Sequence, residues 1–268
     1  AGEPAKIDDN TYEVTLREGA KFSDGTDVTA DDVVASFERA NAEGGLYVSF
    51  LTMFDGIEKK DDTTVTVKCN IANFGLLKER LAIVRITPAG LSADDAAAKP
   101  VGSGPWMYDE MSDTYVVLKP NENYNGEFPA TDSELRIDVL TDTTARTTAQ
   151  EEGTTLITES VPPESIDQLE AAGVSIDQVN GFGTRFIMFN VKKAPWDNVK
   201  ARQAIMYALD TEKMVANAFS GLASIPTCYL PDSFTNYHEA SVTYTYDADK
   251  AKGLLDEAGV TPGSIVLR

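Results

Sequence analysis

The sequence is poor in the residues that build metal and redox sites. Among 268 residues it holds two cysteines, Cys69 and Cys228, and one histidine, His238. The cysteines have no CxxC spacing, so a zinc site lacks its ligands, and we expect no metal and no cofactor. Cys69 follows a strand-like apolar run and is expected to be a buried thiol. Its pairing with Cys228 stays open, because sequence alone cannot establish Cα proximity.

Basic residues are also scarce. The chain has 23 Lys and Arg against 43 Asp and Glu, a formal charge of −20. Phosphate binding needs Lys and Arg, so nucleic acid and anionic membrane surfaces are disfavoured as direct partners. No stretch reaches the ~20 apolar residues that span a bilayer. The chain begins at Ala1 without a visible secretory signal, so we expect a processed or trimmed chain.

Catalytic motifs are absent as well. The chain has no GxSxG elbow, P-loop, GxGxxG turn or HExxH helix. Gly102-Ser-Gly104 is followed by Pro105, which removes an N–H donor that a phosphate loop needs. His238 lies in a polar segment and is expected to be solvated, and no spacing singles out a pair of catalytic carboxylates. We therefore expect a binding protein with no catalytic residues, not an enzyme.

Hydrophobic periodicity predicts interspersed strands and helices, which indicates an α/β or α+β class. Thr29 and Asp32 form a predicted capping box at the start of a helix. The longest predicted helix covers 199–219, and a strand predicted at 264–267 ends the chain. Strands are predicted at residues 11–16, 63–69, 115–119, 135–140, 154–158, 174–179 and 185–191. Other helices are predicted from Thr29 to Gly44 and at 74–81, 143–150, 163–172 and 247–258.

Four segments carry motifs in a recognisable order. Residues 12–37 read YEVTLREGAKFSDG and then TADDVVASF; residues 101–106 read VGSGPW, followed by NENYNG at 121–126. Residues 190–210 and 246–259 contribute a strand–loop–helix and a late helix motif. Together they resemble the extracellular solute-binding proteins of peptide and nickel ABC importers. Ser103 and Asn125 depart mildly from the family pattern, where Thr and Trp are common.

The resemblance implies a two-lobed, periplasmic-binding-protein-like α/β fold (class II, dipeptide/nickel-binding type). Residues 1–183 would form most of the first lobe, with an inserted α/β subdomain at about 20–130. Residues 184–268 would form the crossover and the beginning of the second lobe. Family members are roughly twice as long, so we expect this chain to be truncated at both ends.

The resemblance also implies a function and a site. The protein would capture an oligopeptide, a dipeptide or a nickel or metal chelate and deliver it to an ABC permease, as an extracytoplasmic monomer, periplasmic or lipid-anchored. Arg85, Tyr47 and Trp106 correspond to ligand-facing positions, and an arginine fork suits a solute carboxylate. An ordinary ion pair for Arg85 and simple packing for Tyr47 remain open. A sensing or adhesion module with the same fold is the alternative function.

Overall fold

The structure is a computed structural model that describes residues 3–261 and 263. Contacts divide the chain into two compact units, Ala1–Leu140 and Thr141–Arg268, called unit 1 and unit 2 below. The expected lobe boundary near residue 183 concerns the complete two-lobed protein and stays a prediction. The strand predicted at 264–267 lies outside the described residues. Within the described ranges, no helix is both long and apolar enough to cross a bilayer.

A four-stranded antiparallel sheet forms the centre of unit 1. Its strands are β1 (Ala5–Lys6), β2 (Thr11–Thr15), β3 (Phe54–Lys59) and β4 (Thr64–Cys69), in the order β1-β2-β4-β3. The strands predicted at 11–16 and 63–69 are confirmed as β2 and β4, where β-branched residues alternate between two faces. β3 was not predicted. Gly56 and a register shift between Phe54 and Gly56 interrupt its alternation.

Four helices accompany this sheet: α1 (Ala30–Ala40), α2 (Val48–Leu51), α3 (Leu77–Leu81) and α4 (Ala93–Ala98). α1 begins where the capping residues predicted it. The Oδ2 atom of Asp32 accepts hydrogen bonds from the N–H and the hydroxyl of Thr29, both at 2.8 Å. Phe37 of α1 packs edge-to-face on Phe54 of β3, with ring centroids 5.7 Å apart. This contact lies in a core of buried residues that also includes Tyr12, Leu51, Val65, Val67, Cys69 and Leu77.

A three-stranded antiparallel sheet completes unit 1. It consists of β5 (Trp106–Met111), β6 (Tyr115–Pro120) and β7 (Leu135–Asp138), in that order. The strands predicted at 115–119 and 135–140 are confirmed, the second with an end at Asp138. β5 was missed because the Gly and Pro residues before Trp106 indicated an irregular segment.

The motif loops of unit 1 are tied to one another. Asn125 accepts a hydrogen bond from Arg17 Nε at 2.8 Å and donates one to the Glu18 carbonyl at 2.9 Å. Asn123 donates to the carbonyl of Ser23 at 3.4 Å, across the turn that precedes α1. The NENYNG loop therefore holds the REGAKFSDG turn in place, which is a scaffold role.

Unit 2 is built from helices α5 (Thr143–Glu151), α6 (Ile166–Ala171), α7 (Val199–Ala208), α8 (Thr211–Ala218) and α9 (Ala248–Glu257), with a 3₁₀ turn at Pro163–Ser165. The prediction of one helix over 199–219 is wrong. Leu209 has an extended backbone, and Asp210 caps α8 by accepting from the Lys213 N–H at 3.0 Å. α7 and α9 pack together through small buried residues, Ala201, Ala204 and Ala251.

Three predicted strands of unit 2 do not form. Residues 154–158, 174–179 and 185–191 are irregular, although their sequences alternate and favour β-structure. Their apolar side chains are exposed: Ile157 is 90% exposed and Met188 81%. A strand needs a second strand to accept and donate its backbone hydrogen bonds. The described part of the chain supplies no such partner here, which explains the difference.

Candidate functional site

Arg85 and Tyr47 flank two short helices of unit 1, α3 and α2. Tyr47 precedes α2, and its carbonyl accepts a hydrogen bond from Phe50 N–H at 2.9 Å. Phe50 contacts Arg80 of α3, whose guanidinium carbon is 5.4 Å from the centre of the phenyl ring. Arg85 follows α3 by four residues. Tyr47 thus precedes one of two short helices that touch through Phe50 and Arg80, and Arg85 follows the other.

The Arg85 side chain is exposed. Its Nη1 donates to the carbonyl of Ala82 at 3.3 Å, a contact within its own turn. No carboxylate among the described residues comes within 4.0 Å of its guanidinium. A guanidinium carries five N–H donors in a planar fork. Most of the hydrogen-bonding capacity of Arg85 is therefore available to another molecule.

The segment that follows Arg85 is fixed by one face of α1. The buried carboxylate of Asp32 accepts from the N–H of Ala89 at 2.7 Å. The buried hydroxyl of Ser36 exchanges hydrogen bonds with the backbone of Thr87, at 3.0 and 3.2 Å. Arg39, one turn further along the helix, donates to the Thr87 hydroxyl at 2.7 Å. Asp32, Ser36 and Arg39 are spaced by four and three residues, which places them on one face of α1. They hold the backbone at residues 87–89, and none of them contacts the Arg85 side chain.

Tyr47 belongs to an exposed apolar surface. Tyr47 itself is 36% exposed, Phe50 47% and Leu46 80%. Single exposed apolar residues are common, but three within five positions form a patch. An aromatic ring that is anchored by a helix and open on one face can stack against a flat solute group.

Trp106 lies elsewhere in unit 1. It is the first residue of β5, opposite Pro120 of β6, and its side chain is partly buried. The buried Asn121 fixes the chain before it, since its side-chain N–H donates to the Gly104 carbonyl at 2.8 Å and its backbone N–H to the Pro105 carbonyl at 2.9 Å. Trp106 is therefore held by the second sheet, while Tyr47 and Arg85 accompany the first. A ligand-facing role for all three stays a prediction.

Sequence reasoning missed Phe50 and Arg80. Phe50 lies three residues after Tyr47, the spacing that puts side chains on one helical face. Arg80 lies five residues before Arg85 and looked like an ordinary surface cation. The ring contact between them depends on how α2 and α3 pack, and no local sequence signal reports that.

The remaining reactive residues are dispersed. Among residues 3–261 and 263, no three His, Cys, Asp or Glu side chains converge as metal ligands. Both cysteines are free thiols, as expected for the buried Cys69, and Cys228 is partly exposed. Burial raises the pKa of the Cys69 thiol, and the negative charge of Asp55 adds to the rise. His238 is exposed, as its polar surroundings predicted.

Comparisons with known proteins give one consistent result. The family model for bacterial extracellular solute-binding proteins, family 5 Middle, matches residues 4–268. Heme-binding protein A of Haemophilus influenzae is 30% identical over 284 aligned residues, covering 94% of this chain and 52% of that protein. The glutathione-binding protein GsiB of Escherichia coli K12 is 32% identical over 263 residues, covering 94% and 51%.

The fold class is confirmed by a solved structure. The crystal structure of NikA from Brucella suis in complex with Fe(III)-EDTA superposes with a TM-score of 0.80 at 24% identity, covering 97% of this chain and 55% of that one. This likeness concerns the fold alone. In both comparisons the chain spans about half the length of the protein it matches.

Proposed function

The chain belongs to family 5 of the bacterial extracellular solute-binding proteins, and from this premise we propose that the complete protein is the substrate-binding component of an ABC importer. It captures a small solute outside the cytoplasm and delivers it to a membrane permease. The observation that carries the proposal is the family match over residues 4–268. The proposal includes a periplasmic or lipid-anchored protein that acts as a monomer.

The proposed solute is a carboxylate-bearing peptide or metal chelate. Relatives of this chain are named for binding glutathione and heme, and the NikA structure contains Fe(III)-EDTA. Glutathione, heme and EDTA differ in size and shape but all carry carboxylates. A planar guanidinium binds a carboxylate through two parallel N–H···O bonds. The exposed Arg85, free of carboxylate partners in the described chain, fits that requirement.

Binding would follow from closure of two lobes over the solute. Such domain closure buries a ligand from both sides and excludes water. Arg85 would receive a carboxylate, and Tyr47 would offer an aromatic wall next to it. Trp106 would line the same cleft from the second sheet. Water exclusion strengthens the charged hydrogen bond because the local dielectric constant falls.

Two measurements test the proposal. Mass spectrometry of the solute that co-purifies with the complete protein identifies the ligand, and calorimetry then compares variants. We expect Arg85→Ala to weaken binding about 10- to 100-fold, the value of one charged hydrogen-bond contact. Arg85→Lys should recover part of the loss, because an ammonium group lacks the planar fork.

Lys99→Ala is the matched control. Lys99 is an exposed cation of unit 1 with no carboxylate partner in the described chain, and it ends α4. Its removal changes the net charge as Arg85→Ala does, but binding should stay within about twofold because screened surface charges act weakly over distance. Equal affinities of the wild type and Arg85→Ala would contradict the proposed site.

A role in import differs from sensing or adhesion in one measurable respect. Deletion of the gene should abolish uptake of the identified solute if the protein serves an importer. Unchanged uptake would favour the sensing or adhesion role. Turnover of the solute by the purified protein would instead indicate an enzyme.

A further inference from the structure

One segment of unit 1, residues 90–101, is hydrogen-bonded to the rest of the unit only beyond its two ends. It contains α4, and none of its side chains is buried. Each hydrogen bond that the structure gives to residues 90–101 ends within residues 88–99. A segment with little buried area and few bonds to its surroundings opens at low free energy. Residues 90–101 are therefore the part of unit 1 best able to move as a piece.

The chain before this segment is anchored to α1. Asp32 accepts from the N–H of Ala89 at 2.7 Å, and the hydroxyl of Ser36 accepts from the N–H of Thr87 at 3.0 Å. Arg39 donates to the Thr87 hydroxyl at 2.7 Å. Asp32 and Ser36 are buried, so these bonds are shielded from competing water. Residues 87–89 are thus a fixed point of the unit.

The chain after the segment is anchored as well. The N–H of Ser23 donates to the Gly102 carbonyl at 2.9 Å. The buried Asn121 donates from its side chain to the Gly104 carbonyl at 2.8 Å and from its backbone to the Pro105 carbonyl at 2.9 Å. Both ends of the segment are therefore fixed, and the stretch between them is not.

The stretch between the anchors has a structure of its own. The side chain of Ser92 caps α4 by accepting from the N–H of Asp95 at 3.1 Å. Ala96 donates to the Ser92 carbonyl at 2.9 Å, and Lys99 donates to the Asp95 carbonyl at 2.8 Å. A capped helix closes its hydrogen bonds within its own segment, so this stretch can move without unfolding.

Glycines stand at the two ends of the stretch, Gly90 and Gly102. A Cβ at either position would meet no atom within 4 Å, and neither residue has a positive φ. The conformation shown therefore does not require glycine at these positions, although glycine carries an entropic cost that alanine would reduce. Hinges are short loop positions that absorb changes of φ and ψ, which explains glycine at both ends.

We propose that residues 91–101 form a flap that turns about Gly90 and Gly102 and controls entry and release of the solute. The inference rests on the proposed function. Arg85 precedes the first anchor and Trp106 follows the second, so the flap joins two of the residues expected to face the solute. Because both anchors are fixed, the flap moves while the backbone next to these two residues stays in place.

The motion is tested in the complete protein without solute. Relaxation dispersion of backbone amides detects motion between microseconds and milliseconds, and we expect it at residues 91–101 but not at Thr87 or Ala89. Gly90→Ala should lower the population of the second state about 2- to 5-fold, because alanine fits the conformation shown and restricts others. Gly75→Ala is the matched control, since Gly75 also has open space at its Cβ and no positive φ but lies outside the flap.

The gating role is tested with glutathione and Fe(III)-EDTA as probe solutes, which relatives of this chain bind. A bound probe should suppress the exchange of the flap amides. Gly90→Ala should slow dissociation of that probe about 2- to 5-fold in stopped-flow measurements, by the same restriction of the open flap. Gly75→Ala should leave the dissociation rate unchanged, and circular dichroism confirms that each variant is folded.

The outcomes separate the flap from the proposed function. Absence of exchange at residues 91–101, or equal effects of Gly90→Ala and Gly75→Ala, overturns the inference. A probe that binds by calorimetry without changing the exchange of the flap also overturns it, while the proposed function stands. If neither probe binds, and a casein hydrolysate used as a peptide pool does not bind either, the proposed function is contradicted and the gating role falls with it. The exchange of the free protein still decides whether the hinge exists.

Discussion

The two units of the chain differ in where their apolar residues lie. Unit 1 buries Phe22, Leu51, Val65 and Val67 almost completely, around a paired sheet. In unit 2 only one large apolar side chain, that of Leu169, is equally buried in the described residues. The main helix packing in unit 2 is between α7 and α9, where Ala201, Ala204 and Ala251 are buried. The two units therefore draw their stability from different sources, a layered core in one and a small helix pair in the other.

The difference extends to the surface. Leu156, Ile157, Val179 and Met188 of unit 2 are each more than 80% exposed. Each Å² of apolar surface left in water forgoes roughly 25 cal/mol of stabilisation that burial would give, and exposed apolar patches promote association. In unit 1 the exposed side chains of Leu46, Tyr47 and Phe50 are close in sequence, and the Phe50 ring contacts the guanidinium of Arg80. Unit 1 thus presents an aromatic ring beside a cation, whereas unit 2 presents apolar segments that are not packed in the described residues.

The largest expected effect comes from truncating a buried side chain in the core of unit 1. Phe37 is 3% exposed and packs on Phe54, so Phe37→Ala should destabilise unit 1 by about 3–5 kcal/mol through lost burial and a cavity. Denaturant-dependent hydrogen exchange of the β4 amides measures this loss in the free energy of unfolding. This readout reports on unit 1 specifically, which matters because two units need not unfold together.

Phe186→Ala is the matched control in unit 2. Phe186 is 56% exposed and touches Tyr229, with ring centroids 5.7 Å apart. Its loss should cost below about 1 kcal/mol, the value of an exposed aromatic pair. A cost for Phe186→Ala equal to that of Phe37→Ala would remove the contrast between the units.

The same contrast explains how far sequence reasoning reached. All helices predicted in unit 2 form, although the longest is divided at Leu209, because a helix closes its hydrogen bonds within its own segment. The strands at 154–158, 174–179 and 185–191 were predicted by the same kind of pattern and do not form. A strand pattern reports a propensity, and the ladder itself depends on residues elsewhere.

For the candidate site, the family resemblance and residue chemistry indicated Arg85 and Tyr47, and the structure adds their surroundings. Capping residues were predictable, since Thr29 and Asp32 are three positions apart. The second role of Asp32, accepting from Ala89, was not, because it joins residues 57 positions apart. The Arg80–Phe50 contact was missed for the same reason. Long-range contacts of this kind depend on packing, which single-sequence patterns do not encode.

Backbone protection gives the second test. Between residues 175 and 191 the structure assigns no backbone N–H to a hydrogen-bond acceptor, whereas each β4 residue lies in a ladder with β2 or β3. Native-state hydrogen exchange should be at least about 100-fold faster in this segment than in β4, a difference of about 2.7 kcal/mol. Amides of α9 serve as an internal reference for unit 2 and should be intermediate. Protection of residues 175–191 equal to that of β4 would show that the segment is paired in solution.

The smallest expected effect concerns acid and unit 1 alone. Asp24 Oδ1 accepts hydrogen bonds from the hydroxyl of Thr26 at 2.6 Å and from its N–H at 2.9 Å, in the turn before α1. These bonds, the hydroxyl first, lower the pKa of Asp24 from its ordinary value of 3.8. A lowered folded-state pKa means that the stabilisation is complete above the ordinary value and is lost as the pH falls through the lowered one. Asp24→Asn keeps an oxygen acceptor but removes the charge. Because the carboxylate is exposed, the variant should lower the free energy of unfolding of unit 1 by less than about 0.5 kcal/mol at neutral pH.

The pH dependence of this gap, the difference in the free energy of unfolding between wild type and Asp24→Asn, can be followed by hydrogen exchange of the β4 amides. The gap should narrow as the pH falls below about 4, while the α9 amides should show no gap at any pH. A gap that stays constant across this range would mean that the charge of Asp24 contributes nothing to the turn, and a gap in α9 would mean that the two units do not respond separately.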